Sequence, residues 1–180
     1  MSRGNATSDR RQHRPHGRGS LLDMTTLTST TVIRALPAEV LDGVRTTGRD
    51  VSGSPVEPVW ADGGEPLRCC LRDAVPGEAL LLFGYAPQTP RGPYREVGPV
   101  FAHAGPCAGF PGTGYPDDWR QRPQVLRAYD HRGWIHPATT VHDGSDPAAA
   151  LAEVLAVPGV VEVHSRNIAY GCYMFAASVR

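Results

Sequence analysis

Lysine is missing from all 180 residues: the 18 basic side chains are arginine without exception. That absence removes a Schiff-base amine, a phosphate-binding Walker lysine and a lysine general base from every mechanism open to the chain. Long apolar runs are also missing. Runs such as Ala79 to Phe83 fall well short of the roughly 18 residues that a membrane span needs. Near the N-terminus, Leu21 and Leu22 stand alone before Asp23, so no apolar export segment follows the arginines, and Arg10-Arg11 by itself is not a twin-arginine signal. Cysteine is limited to Cys69, Cys70, Cys107 and Cys172, with no Cys-x-x-Cys or His-x-x-x-His pair. These traits together point to a cytoplasmic chain with reduced thiols and no membrane partner.

Formal charge sums to zero, but unevenly. The first 23 residues carry five arginines against Asp9 and Asp23, whereas the remainder holds thirteen arginines against sixteen acids. A duplex-binding domain carries a dense basic face, so this mildly acidic body argues against nucleic acid as the main partner. Residues 1–31 read as a basic, disordered extension and residues 32–180 as a single domain, with 20 glycines and 17 prolines in the composition of a GC-rich genome.

Hydrophobic spacing predicts a β-prone run over residues 25–34 and a short helix from Leu36 to Val44 that Gly48 ends. Residues 46–66 read as an irregular connection that Trp60 anchors to the core. Strands are predicted at 67–71, 79–85, 100–104, 124–129 and 134–141, with Pro76-Gly77 turning the first pair into a hairpin and residues 130–133 turning the last. Asp146-Pro147 starts a second helix, with Leu151, Val154 and Leu155 inward and Pro158-Gly159 as its stop. Two further strand-like runs, 160–163 and 170–179, close the chain. Two short helices among six or seven strands joined by short turns give an α+β domain built mainly on antiparallel sheet.

Polar residues set into the last two runs make His164, Asn167 and Cys172 candidates for a site, because a buried donor without a partner costs about 1 to 3 kcal/mol. Alternation places His164 at a solvated rim and Cys172 with Met174 and Ala176 toward the core. In a strand over 67–71, Cys70 shares a face with Arg68 and Arg72, whose charge favours a thiolate, while Cys69 packs inward. Cys70, His164 and Asn167 follow the chain order of a papain-like set, with Cys70 or Cys172 as nucleophile, His164 as base and Asn167 as orienter; the local papain signature is absent. Asn167 also suits a turn in which its amide bonds nearby backbone.

Arg68, Arg72, Arg95 and Arg127, with Tyr94 presented on a Pro/Gly-rich loop, make a small anionic molecule the leading ligand class. Their competitors are Asp73, Glu78, Glu96 and Asp130, which stand close enough in sequence to pair with them. A non-catalytic interaction module is the alternative. A zinc site is a further one: His103 and Cys107, four residues apart, combine with His164, although the adjacent Cys69-Cys70 is poor chelate spacing and no metal ligand is assigned. No cofactor is implied.

Leu71-x-Asp73-Ala74 with Pro76-Gly77-Glu78, Pro93-Tyr94-Arg95 with Gly98-Pro99-Val100-Phe101, Arg127-Ala128-Tyr129-Asp130, and finally His164, Asn167 and Gly171-Cys172 recur in a fairly specific order. In these motifs the chain resembles the bacterial domain of unknown function 1203 family over roughly residues 32–180. The resemblance implies one compact domain and no reaction, substrate or cofactor. The chain departs from it in reading Arg68-Cys69-Cys70-Leu71 where a cysteine followed by arginine is expected.

Overall fold

Frequent glycine and proline cut the apolar sequence into short runs, and short runs satisfy their backbone by pairing laterally. The computed structural model describes Met1 and residues 31–87, 92–112 and 114–180; the basic extension of residues 1–31 lies outside these apart from its two ends. Ten strands and two helices follow in the order β1 (Thr31–Arg34), α1 (Ala38–Thr47), β2 (Glu57–Trp60), β3 (Pro66–Leu67), β4 (Arg72–Asp73), β5 (Ala79–Tyr85), β6 (Gly98–His103), β7 (Gln124–Tyr129), β8 (Thr140–His142), α2 (Pro147–Leu155), β9 (Glu162–Asn167) and β10 (Tyr173–Val179). They form two five-stranded sheets, ordered β1-β10-β9-β7-β8 and β2-β5-β6-β3-β4. The architecture is α+β, with every strand pair antiparallel except β3 beside β6.

Both helices form where the spacing places them. Gly48 closes α1 in the left-handed conformation, at φ 64°, and the Asp146 carboxylate accepts from the Ala149 N–H to cap α2. α2 packs Leu151, Val154 and Leu155 into one core with Trp119, Leu126, Val163 and Phe175. α1 packs Leu41 and Val44 into a second core with Leu80, Phe83, Val100 and Ala102. β10 serves both: Met174, Phe175 and Ala177 enter the first, Tyr173 and Ala176 the second. A strand covered on both faces reads as a near-continuous apolar run, which is what residues 173–177 are.

Several expectations are corrected. Residues 67–71 are not one strand: β3 ends at Leu67, residues 68–71 turn, and β4 returns antiparallel with Leu67 opposite Arg72. The predicted hairpin with 79–85 is replaced by β5 pairing with β2 and β6. Residues 46–66 contain β2, and Trp60, at its end, is 75% exposed instead of anchored. Of the strand predicted over 134–141, only Thr140 and Val141 fall in a strand, β8, while Ile135 makes an isolated bridge to Tyr129 of β7. His164 is 1% exposed instead of at a rim, because β9 lies between β10 and β7 and is covered on both faces. Cys172 sits in the turn before β10 and does not join Met174 in the core.

Candidate metal centre

The four-residue turn between β3 and β4 carries Arg68, Cys69, Cys70 and Leu71. Leu71 adopts φ 55°, the only non-glycine among the described residues with positive φ, and its N–H closes the turn on the Leu67 carbonyl at 2.9 Å. Left-handed backbone at a leucine costs on the order of 1 kcal/mol, and burial of its side chain in the core holds it there. The tight turn brings two adjacent thiols to the same side, where an extended strand would separate them.

Parallel pairing supplies the third group. Leu67 stands opposite Phe101, so the register carries Cys69 beside His103 at the end of β6. Past His103 the chain turns back to Cys107. Arg45 of α1 holds that bend by donating to the carbonyls of His103 at 2.9 Å, Ala104 at 3.1 Å and Gly105.

The three thiols of Cys69, Cys70 and Cys107 and one His103 ring nitrogen all lie within 4.8 Å of one another. Cys69 Sγ is 3.9 Å from Cys70 Sγ and 3.4 Å from His103 Nδ1, and Cys70 Sγ is 3.9 Å from the same nitrogen. Tetrahedral zinc with Zn–S of about 2.3 Å and Zn–N of about 2.0 Å has ligand-to-ligand edges of about 3.8 Å between sulfurs and about 3.5 Å between sulfur and nitrogen. Cys69, Cys70 and His103 therefore already stand at spacings close to three corners of a tetrahedral shell, with Cys107 within 4.8 Å of each.

Behind the histidine, Nε2 lies 3.3 Å from Glu78 Oε1 and 3.0 Å from Arg72 Nη2. Arg72 grips Glu78 through both nitrogens, at 2.6 and 3.0 Å, and the Val75 N–H adds a further bond. Arg72 and then Val75 hold the Glu78 carboxyl down at about 2. His103 has two competing tautomers in this setting, and the Nε2–H form sets its proton against the Arg72 Nη2 donor at 3.0 Å as well as toward Glu78. With the proton on Nδ1 it donates to Cys69 sulfur while Nε2 accepts from Arg72. With the proton on Nε2 it donates to Glu78 and frees the Nδ1 lone pair for a cation, the carboxylate–histidine–metal arrangement. Cys70 pulls the Cys69 thiol down as donor and is itself pushed up, while burial raises Cys107.

The other residues singled out from sequence are dispersed. His164 Nε2 meets Glu162 Oε1 at 2.8 Å, and its ring packs against Tyr129 and Tyr173; Cys70 and His164 share no hydrogen-bond partner among the described residues. Asn167 accepts from the Tyr170 N–H in the β9–β10 turn, and Cys172 Sγ faces the Tyr170 carbonyl at 3.8 Å. Arg68 is buried, with Nε donating to the Tyr173 carbonyl at 2.7 Å, and burial depresses its guanidinium to about 10. Arg127 pairs with Glu96, which also receives Arg166. Tyr94 packs edge-on against Trp134, and Arg95 lines a separate surface hollow with Glu39 and Asp50. Asp73, Glu78, Glu96 and Asp130 each have an arginine partner, but only Glu78 with Arg72 is a pair of the neighbours expected from sequence: Asp73 takes Arg122, Glu96 takes Arg127 and Arg166, and Asp130 takes Arg132.

Sequence spacing missed the assembly of Cys69 and Cys70 with His103 and Cys107. The His103-x-x-x-Cys107 pair was visible, but its partners come from a turn joined to it through parallel pairing of β3 and β6. No helix among the described residues is long and apolar enough to cross a membrane. Comparison with curated proteins and with solved structures gave no match. Residues 64–179, which include all four converging donors, match the family described as protein of unknown function (DUF1203), and the chain belongs to that family.

Proposed function

We propose that this chain is a zinc-binding domain, with Cys69, Cys70 and Cys107 as thiolate ligands and His103 Nδ1 as the fourth. One observation carries the reading: four donor atoms of the types zinc prefers lie within 4.8 Å of one another. The acidic partner behind His103 supports it, since a metal-bound imidazole ordinarily donates its remaining N–H to a carboxylate or carbonyl. A reducing cytoplasmic setting suits it too, because the ligands must be thiolates and not disulfides. Bound metal would join the β3–β4 turn to the end of β6 and the bend after it.

The test is metal content. Protein expressed without a histidine tag and purified without chelator should contain close to one zinc per chain. Replacement by cobalt(II) should give intense tetrahedral bands with thiolate-to-metal charge transfer, and His103→Ala should weaken both. Metal-free protein that takes up no stoichiometric zinc or cobalt at micromolar concentrations would sink the reading.

A small anionic ligand is the second reading, and Arg68 favours it: buried, the guanidinium has no carboxylate within ion-pair distance among the described residues. Stabilisation of the fold by millimolar phosphate, lost in Arg68→Met, would support it. The absence of any phosphate effect would count against it.

A further inference from the structure

The four donors are not equally protected. Cys69 is buried and accepts the His103 backbone N–H at 3.4 Å; Cys107 accepts the Gly109 N–H at 3.3 Å. Cys70 accepts no backbone N–H among the described residues and is partly exposed. An N–H aimed at a thiolate draws on the lone pair that would attack an electrophile, so sulfurs so bonded are weaker nucleophiles. Cys70 keeps its lone pairs.

It also has room in front of it. A cavity of about 460 Å³ is lined by Cys70, Cys107, His103, Arg72, Glu78 and Gly109, whereas Cys69, itself buried, borders a separate hollow beside α1 with Leu36, Leu41 and Arg45. Glu78 neutralises Arg72 there. Three thiolates on one zinc dication leave the centre one unit negative, which disfavours approach of an anion.

We infer that Cys70 is the reactive ligand of the centre, a zinc-bound thiolate that accepts an alkyl group from a small electrophile without negative charge. The inference rests on the zinc reading. The step is a displacement: a Cys70 Sγ lone pair forms the S–C bond, the bond from that carbon to its leaving group breaks, and the leaving group departs with the electron pair. No proton is released, because zinc already holds Cys70 as thiolate. The product thioether is a poorer zinc ligand, so alkylation loosens the metal.

The test uses the intact zinc-loaded chain, pulsed with iodoacetamide or iodoacetate and read cysteine by cysteine by peptide mass spectrometry. Zinc content is measured before and after each pulse. Cys172, which stands outside the cluster, serves as the internal reference. Cys70 is expected to be alkylated about tenfold or more faster than Cys69 and Cys107, iodoacetamide to outpace iodoacetate at Cys70 by more than at Cys172, and zinc loss to track Cys70 modification. A chain that holds one zinc but reacts first at Cys69 or Cys107, or at all three alike, overturns the inference and leaves the zinc reading standing. A chain that holds no zinc overturns both.

Discussion

Glu78 meets three demands with one carboxylate: it takes both Arg72 nitrogens, the Val75 N–H and the Nε2 side of His103. Its charge matters to the imidazole more than to the fold, because the Arg72 pair is partly solvent-exposed and such pairs contribute little stability. Glu78→Gln keeps the size and loses the charge that favours the Nε2–H tautomer. Zinc affinity, measured by competition with a chromophoric chelator, should fall about 10- to 100-fold while the far-UV circular dichroism stays unchanged. Unaltered affinity would show that the metal does not use His103 Nδ1. His164, the more conspicuous histidine in sequence, has a different occupation. It is wedged between two tyrosine rings with Nε2 on Glu162, and Nδ1 has no partner among the described residues.

Among the elements, the turn from β7 toward β8 is closed by backbone bonds from Asp130 to Trp134 and from Gly133 to Asp130, and one side chain gathers its remaining polar groups. Asp130 accepts the N–H groups of Arg132 and Trp134 and the Arg132 guanidinium, all at 2.7 to 3.0 Å. Burial acts to raise its carboxyl, and the Trp134 and Arg132 donors override it, leaving the group at about 2 against an ordinary 3.8. A carboxylate depressed in the folded state stabilises it fully above the ordinary value and loses that contribution as pH falls. The protection of the Trp134 and Arg132 amides, taken as exchange relative to the intrinsic rate at each pH, should therefore fall between about pH 4 and pH 2, and Asp130→Asn should show no such step. A flat profile in the parent protein would remove Asp130 as the anchor. This turn was legible in sequence, as were α1, α2 and most of β5, β6, β7 and β10, because each is settled by neighbours within a few residues: a capping aspartate, a terminal glycine, an apolar period. The β3–β4 turn was not. Two-residue strands carry no period, and the left-handed Leu71 has none of the glycine or asparagine signature that announces such a turn. The site depends on that turn and on the parallel register of Leu67 with Phe101, a relation between segments 34 residues apart, so its residues were individually visible and collectively hidden.

For the whole molecule, metal and fold are linked through mass action. A ligand that binds only the folded chain, at about 1,000 times its dissociation constant, adds about 4 kcal/mol, which for a domain of this size is roughly 10 °C in Tm. Excess chelator should lower the Tm by that order when zinc is tightly bound, and should raise hydrogen exchange first at Leu71 and the end of β6, the segments the metal would join. A Tm indifferent to chelator would mean that the donors hold no structural metal. The loss should still appear as one transition, because β10 supplies side chains to both cores and neither can open without exposing the other's wall. That sharing also orders events in time. β10 is the last of the described strands to leave a ribosome, and it is β1's strand partner among the described residues, so the first described strand reaches that partner only when the last one arrives. A nascent chain halted before Tyr173 holds two unfinished interiors, and the domain closes only once synthesis has passed β10.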